Sequence, residues 1–326
     1  MPNLPLDRAF ALEAVRVTEA AATAVADQIG RGDEHAADHA AVEAMRRAFN
    51  FLPISGTVVI GEGERDEAPM LFIGETVGTG GIEVDIALDP LEGTALTAKA
   101  LPNALAVLAI AEPGTLLNAP DVYMDKIAIG GGYPEGTIDL DADIQENILN
   151  LAKAKNVKPS EITACILDRP RHEKHIAAVR SVGAAVRLIT DGDVAGIIAT
   201  SDPATGIDIC LGRGGAPEGV LAASALRCVG GQFQSRLFFK TNAERERAVK
   251  LGIKDFDRKY ALRDMASGDV VFAATGVTDG AMLKGVQRTP EFIVTHSVVM
   301  RSTSGTVRWI SAHHPRRRHD KISSKP

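Results

Sequence analysis

The residues best suited to chemistry are concentrated in one acidic stretch, Glu83–Thr94. Apolar and polar residues alternate at its start, which predicts a β-strand that aims Asp85 and Asp89 at the same face. Pro90 then interrupts strand pairing because it has no N–H to donate. The segment Glu92–Thr94 adds a second carboxylate, a glycine and a hydroxyl. Acids on one side of a strand end, beside a hydroxyl, suit a divalent cation and a phosphate ester.

Three further acids occupy positions from which they could join this site. Glu62 directly follows a buried strand predicted over residues 56–61, and Glu218 lies in the Gly-rich loop 212–219 that follows another predicted strand. Strand ends are where open α/β sheets place their ligands. Asp38 falls where a second helix is predicted to start, so a helix N-cap and a metal ligand are both open for it.

A cluster of these acids requires protons or cations. Two carboxylates about 4 Å apart repel by roughly 4 kcal/mol at an effective dielectric constant near 20. Carboxylate oxygens without imidazole or thiolate favour Mg²⁺ or Mn²⁺ over zinc. Two such ions could clamp the attacking and leaving oxygens of an in-line phosphoryl transfer.

Basic residues follow another predicted strand, over residues 162–167. Arg169 and Arg171 flank Pro170 at a predicted helix start, where the helix dipole disfavours cations. This mismatch favours anion binding over an ordinary surface helix start. His172 and His175 are interpreted as exposed helix residues. The loop 214–218 looks like a phosphate-cradling turn, but it fits neither the P-loop nor the Rossmann pattern.

The composition excludes several classes of protein. With 326 residues, 45% of them hydrophobic, the chain can bury a large core and is expected to form two domains. A formal charge of −6 argues against a nucleic-acid-binding protein. The sequence has no apolar run long enough for a membrane span and no signal-peptide pattern at its start. Three cysteines in apolar stretches suggest buried thiols in the cytoplasm.

Periodicity gives an α/β organisation. An Ala-rich helix is predicted over residues 10–29, ending at 30–33. Strands and helices alternate after a polar linker at 155–160, which is the best candidate for a domain boundary. We therefore expect one domain at 1–157, a second at 158–312 and a disordered basic tail at 313–326.

These motifs also resemble a known family. Residues 89–94, Asp-Pro-Leu-Glu-Gly-Thr, resemble the Asp-Pro-x-Asp/Glu-Gly-Thr signature of the lithium-sensitive, metal-dependent sugar phosphatases. The segments around this signature resemble class II fructose-1,6-bisphosphatase, and they are residues 61–70, 118–121, 169–172, 191–193 and 214–219. The likeness runs from about residue 8 to 312. One departure is Glu34–Ala36, where family members often have a lysine.

The resemblance implies a layered α/β sandwich of two α/β domains with mixed sheets, in a homo-oligomer (dimer or tetramer). It also implies that the domain at 1–157 binds metal and that the domain at 158–312 binds the sugar phosphate. It implies that a metal-activated water hydrolyses the 1-phosphate of fructose 1,6-bisphosphate, giving fructose 6-phosphate for gluconeogenesis. Two or more Mn²⁺ or Mg²⁺ ions would take part. Asp38 and Glu62 would hold one ion, and Asp89, Glu92 and Glu218 another.

The resemblance also assigns roles around the substrate. Thr94 and Glu62 would be catalytic, with Thr94 orienting the attacking water, and Asp85 would lie just outside the ligand set. The residues implied in substrate binding are Glu92, Gly93, Thr94, Tyr123, Arg169, Pro170, Arg171, Asp191, Gly192, Asp193 and Gly215.

Alternatives remain open. The nearest is a dual fructose-1,6-/sedoheptulose-1,7-bisphosphatase. A phosphatase of inositol phosphates is disfavoured because Arg169 and Arg171 suggest a second anionic group on the substrate. A sugar-phosphate- or metal-binding protein without turnover is the non-enzymatic alternative.

Overall fold

A computed structural model describes residues 10–63 and 70–316 of the chain. Within these ranges the strands form two mixed β-sheets, and helices cover their faces. The α/β layered sandwich predicted from the sequence is therefore confirmed. The part of the acidic loop at 64–69 lies outside the described residues.

The larger sheet contains strands from both ends of the chain. Its members are β1 (Ile54–Ile60), β2 (Thr76–Val77), β3 (Ile82–Glu92), β4 (Leu105–Ala111), β11 (Val270–Gly276), β12 (Gln287–Arg288), β13 (Phe292–Arg301) and β14 (Thr306–Pro315). Their order is β12-β13-β11-β4-β3-β1-β2, with β14 also pairing with β13. Only β1 and β3 are parallel neighbours among these described strands.

The smaller sheet comes from the middle of the chain. Its members are β5 (Tyr123–Ile129), β6 (Thr163–Leu167), β7 (Ala185–Ile189), β8 (Ile209–Gly215), β9 (Gln232–Phe238) and β10 (Tyr260–Ala261). Their order is β10-β9-β5-β8-β6-β7, and β6 runs parallel to both β7 and β8. The carboxyl ends of β6 and β8 therefore lie at one edge of this sheet.

The helices form the outer and middle layers. They are α1 (Phe10–Val25), α2 (Glu34–Phe49), α3 (Thr94–Ala98), α4 (Ile144–Lys155), α5 (Glu173–Ser181), α6 (Asp193–Ile198), α7 (Ala216–Val229), α8 (Asn242–Lys250) and α9 (Leu262–Met265). Helices α1 and α2 cover the outer face of the large sheet, α6 and α7 fill the space between the sheets, and α4 and α5 cover the small sheet.

Strand β4 shows why the large sheet must be covered on both sides. All seven of its residues are buried. Leu108 and Ile110 belong to the core under α1 and α2, whereas Val107 and Ala109 belong to the core around α7. A continuous apolar run of this kind is typical of a strand buried on both faces.

The second helix begins earlier than predicted. Asp33, not Asp38, is its N-cap, and the Asp33 side chain accepts a hydrogen bond of 2.9 Å from the N–H of Ala36. The first N–H groups of a helix have no partner within the helix, and the Asp33 side chain satisfies one of them. The helix can therefore begin about one turn before Asp38. Asp38 therefore lies inside α2, and the N-cap interpretation of Asp38 is wrong. The first helix also ends at Val25 rather than at 29.

The C-terminal prediction needs a correction too. Residues 313–315 continue β14, so the prediction that disorder begins at 313 is wrong. The ring Nε2 of His314 lies 2.9 Å from the hydroxyl of Thr295, which also donates to buried Glu19. Tertiary pairing with β13 outweighs the patternless local sequence. Residues 317–326 lie outside the described part.

The membership of the two sheets does not follow the predicted domain boundary at 157/158. Strand β5 precedes the linker at 155–160 yet belongs to the small sheet, and β11–β14 return to the large one. The boundary between residues 157 and 158 stays a prediction about domains. Among the described helices, none is long and apolar enough to cross a membrane.

Candidate active site

A cavity of about 310 Å³ collects most of the predicted acids. Its lining residues come from α2, from the ends of β1 and β3, from the start of α7 and from the loop before α6. The predicted site residues that line it are Asp38, Glu62, Asp89, Glu92, Gly93, Thr94, Asp191 and Glu218. The other predicted site residues lie outside this lining, and they are Tyr123, Arg169, Pro170, Arg171, Gly192, Asp193 and Gly215.

A bulge in β3 brings Asp89 and Glu92 to the same side. Asp89 pairs with Val107 and Glu92 pairs with Leu105. Between these two pairs, β3 therefore contains one more residue than β4. In a regular strand, residues three apart would face opposite sides. The extra residue restores a common face. The bulge coincides with Pro90, which cannot donate to the ladder.

The turn after the bulge requires glycine. Gly93 has φ of +90° and is the N-cap residue of α3. A Cβ at this position would also meet the Leu96 side chain at 2.8 Å. Thr94, the first residue of α3, is thereby placed in the cavity wall two residues after the bulge ends at Glu92.

Glu62 reaches the same cavity from the end of β1, which runs parallel to β3. Strand β1 has its own irregularity, because Val58 and Ile60 pair with consecutive residues of β3. Beyond it, the N–H of Glu62 donates to the carbonyl of Leu71 at 3.0 Å. The predicted convergence of two acidic strand ends thus has a geometric basis in β1 and β3.

A buried ion pair between Lys126 and Asp193 supports the side of the cavity formed by the start of α6. Lys126, only 5% exposed, donates to the Asp193 carboxylate and, at 2.8 Å, to the carbonyl of Gly215. The N–H of Val194, the next residue of α6, donates to Glu92 at 3.1 Å. Lys126 therefore acts on Glu92 indirectly, by holding the start of α6 in place.

The Gly-rich loop accommodates carboxylates at close range. A Cβ at Gly215 would lie 1.9 Å from Glu218 Oε2, and one at Gly214 would lie 1.9 Å from Asp193 Oδ2. Side chains at these positions would displace both acids. The loop resembling a phosphate cradle thus has a different role in this structure: its missing side chains leave room for Glu218 and Asp193.

Withdrawal from water raises the pKa values of the cavity acids. Burial, reinforced by the charges of Asp89 and Asp38, raises the pKa of Glu62 to about 9. Burial also raises the pKa of Asp89 to about 6 and that of Glu218 to about 7. The pKa of Glu92 is raised well above its usual value, by burial and then by Asp89.

The donor chemistry of the cavity fits a hard divalent cation. Its charged lining consists of carboxylates, and Glu218 Oε2 is buried without a hydrogen-bond partner among the described residues. Such an orphaned oxygen is costly unless a proton or cation satisfies it. As they stand, no three His, Cys, Asp or Glu side chains within 10–63 and 70–316 are grouped closely enough to hold an ion.

Asp85 is occupied elsewhere. It lies on the same face of β3 as Asp89, but it is buried and accepts a hydrogen bond of 2.7 Å from the N–H of Gly114. Asp89 lies four positions further along the strand, about 13 Å from Asp85. Asp85 therefore fixes the loop after β4 and does not line the cavity.

The predicted basic residues form a separate group beside the cavity. Arg171 donates through Nη2 to the carbonyl of Arg213 at 2.8 Å, and its guanidinium carbon lies 5.0 Å from the centre of the Tyr123 ring. Arg169 is close enough to Asp191 to oppose the rise in the pKa of that acid caused by burial. These cations thus adjoin the cavity rather than line it.

Two residues of the site were not assigned from the sequence. Asp121 lines the cavity, and its position in the segment 118–121 was the available signal. Lys126 was missed, although a lone lysine in the apolar strand β5 is unusual. The expectation that His172 is exposed is wrong: it is 1% exposed, and its ring accepts from the N–H of Arg213 at 2.8 Å.

Comparisons with known proteins agree with these motifs. A sequence model of the family described as "Bacterial fructose-1,6-bisphosphatase, glpX-encoded" matches residues 8–314. The chain is 45% identical to fructose-1,6-bisphosphatase 1 class 2 of Escherichia coli strain K12 over 321 residues, covering 94% of this chain and 95% of the relative. The fructose-1,6-bisphosphatase class 2 of Shigella flexneri matches with the same identity and coverage.

Among solved structures, an inositol monophosphatase from Anabaena (Nostoc) sp. PCC 7120 is similar over 60% of this chain and 72% of that chain. The TM-score is 0.31 and the sequence identity is 15%.

The raised pKa values predict how stability depends on pH. A carboxylate whose pKa is higher in the folded than in the unfolded state stabilises the fold at low pH and loses that contribution as pH rises. The free energy of unfolding of the chelator-treated protein should therefore fall between about pH 4 and pH 9, through the values near 6, 7 and 9.

Urea denaturation with a chelator at pH 5, 7 and 9 measures this dependence. Glu62→Gln, which cannot ionise, should flatten the curve above pH 7, and added Mn²⁺ should reduce the loss. A free energy of unfolding that stays constant or rises over this range would contradict the account.

Breaking the buried ion pair should be costly. Lys126→Met leaves the Asp193 carboxylate buried and unpaired, and we expect about 3–5 kcal/mol of destabilisation in urea. Replacing Asp193 by leucine as well removes the orphaned charge and should recover part of this loss. Equal stability of the single variant and the wild type would show that the pair does not support the wall.

Proposed function

We propose, since the chain belongs to the bacterial fructose-1,6-bisphosphatase family, that it hydrolyses the 1-phosphate of fructose 1,6-bisphosphate. The products are fructose 6-phosphate and inorganic phosphate, and the reaction serves gluconeogenesis. The observation that carries the proposal is the single cavity in which acids from separate segments meet Thr94. The carboxylates suit cations, and the neighbouring arginines suit a second anionic group.

Family membership implies a dependence on divalent metal. We assign Asp38 and Glu62 to one ion and Asp89, Glu92 and Glu218 to another, with Mn²⁺ or Mg²⁺ as the metal. The ions, when bound, neutralise charge on the phosphoryl oxygens and make water a better nucleophile. Asp38, which lies within α2 and also lines the cavity, is free of the capping role that Asp33 performs.

Thr94 and Glu62 are the chain's own catalytic groups in this proposal. The Thr94 hydroxyl, fixed at the start of α3, orients the attacking water towards the 1-phosphorus. Glu62 lines the same cavity and takes the proton that the water loses. Both act from rigid positions, because the bulge and Gly93 fix Thr94 while the backbone of Glu62 is bonded to Leu71.

The substrate's sugar and second phosphate lie towards the small sheet. Asp191 and the backbone of 92–94 contact the sugar from the cavity side, with Gly192 and Asp193 adjoining. Tyr123, Arg169, Pro170, Arg171 and Gly215 form the outer side. We place the enzyme in the cytoplasm as a homo-oligomer.

Phosphate release measures the proposed activity directly. Fructose 1,6-bisphosphate and sedoheptulose 1,7-bisphosphate are compared side by side, each with Mg²⁺ and with Mn²⁺. Metal-dependent release from the fructose substrate, with fructose 6-phosphate as the sugar product, supports the proposal. Release of fructose 1-phosphate, or binding without turnover, contradicts it. Turnover of both substrates would make the enzyme a dual bisphosphatase.

Thr94→Ala should lower kcat by about 10²–10³-fold, because the loss of one positioned hydrogen-bonding group in an active site typically costs this much. Substrate and metal binding should be retained, since the substitution removes one hydroxyl and leaves the carboxylates. Thr94→Ser keeps the hydroxyl and should preserve most of the rate. Near-normal turnover by Thr94→Ala would exclude the role assigned to Thr94.

A further inference from the structure

Tyr123 is approached by two cations from different parts of the chain. Arg171 lies in the loop after β6, with its guanidinium carbon 5.0 Å from the ring centre. Lys240 follows β9, and its Nζ lies 4.1 Å from the same centre. The pairing of Tyr123 with Phe238 across β5 and β9 brings the Lys240 backbone to this position.

Neither cation is neutralised by an acid. Arg171 and Lys240 are both exposed, and among the described residues no carboxylate lies within ion-pair distance of either side chain. Arg213 differs: it makes two hydrogen bonds to Asp125, at 2.7 and 2.9 Å, while it stacks on Phe238. Arg213 is thus a structural cation, whereas Arg171 and Lys240 keep their charges available.

These cations lie next to the cavity. Tyr123 pairs with Gly215, which precedes the helix that carries Glu218. Asp121, two residues before Tyr123, lines the cavity itself. An elongated ligand whose one end meets the cavity carboxylates could therefore extend its other end to Tyr123.

We propose that Lys240 is a specificity residue which, together with Arg171 and Tyr123, binds the phosphate of the substrate that is not hydrolysed. The proposal rests on the bisphosphatase activity proposed above and extends it to Lys240, which lies two residues beyond the end of β9. Two like charges held beside one ring repel each other, and a phosphate dianion between them relieves that repulsion. Arg171 offers a planar fork of donors and Lys240 a compact charge, so the two cations contact the phosphate differently.

The geometry predicts a selective effect on binding. Lys240 is not among the residues that line the cavity, so we expect it to make no contact with the reacting phosphate. Its removal should weaken binding of sugars that carry the second phosphate and leave those without it unaffected. The side chain is exposed, so its replacement should not unfold the protein.

The test compares Lys240→Gln with wild type on fructose 1,6-bisphosphate and on fructose 1-phosphate, which lacks the second phosphate. We expect kcat/KM for the bisphosphate to fall about tenfold, mainly through KM, and kcat/KM for fructose 1-phosphate to stay unchanged. Lys240→Arg should retain most of the bisphosphate activity. Lys250→Gln, an exposed lysine on the following helix α8, is the matched control and should behave as wild type.

Equilibrium binding of fructose 6-phosphate, measured by calorimetry, tests the same contact without turnover. Lys240→Gln should weaken this binding about tenfold, and the Lys250→Gln control should not. An unchanged KM and unchanged fructose 6-phosphate binding, or an equal loss for both substrates, would overturn the assignment. Absence of turnover by the wild type would instead contradict the proposed function, while the binding measurement would still decide the role of Lys240.

Discussion

The repulsion among carboxylates that are withdrawn from water into one cavity is the constraint around which this site is built. Each of the acids would be more stable, when charged, in solvent. The backbone conformation holds these acids together, through the bulge of β3 and the left-handed turn at Gly93. It also removes side chains where two carboxylates need the room, at Gly214 and Gly215. The remaining charge calls for protons or cations.

The two sheets supply complementary halves of the site. The large sheet brings Glu62, Asp89 and Glu92 to neighbouring strand ends, and the small sheet brings the lysine that holds Asp193. Helix α7 starts between the sheets and carries Glu218 in its first turn. Acids in a first turn are favoured by the helix dipole, which offsets part of the cost of burying this carboxylate.

Local patterns predicted the strands well, because alternation and continuous apolar runs report directly on burial. They placed Asp89 and Glu92 together, yet the bulge that makes this possible was not visible, since it depends on pairing with β4. The start of α2 was misplaced because both Asp33 and Asp38 are good caps, and only the contact with Ala36 distinguishes them. The order at 313–315 and the burial of His172 come from distant partners, which single-sequence patterns do not contain.

Proton release on metal binding tests the central claim most directly. At pH 7, Glu62, with a pKa of about 9, is protonated in the cation-free protein, and the pKa of Glu92 is raised as well. Cations can bind these acids only after the protons leave. Calorimetric titration with Mn²⁺ in buffers of different ionisation enthalpy should therefore report release of about one proton or more per chain, and less for Glu62→Gln. Binding without proton release, or no binding of Mn²⁺, would contradict the account.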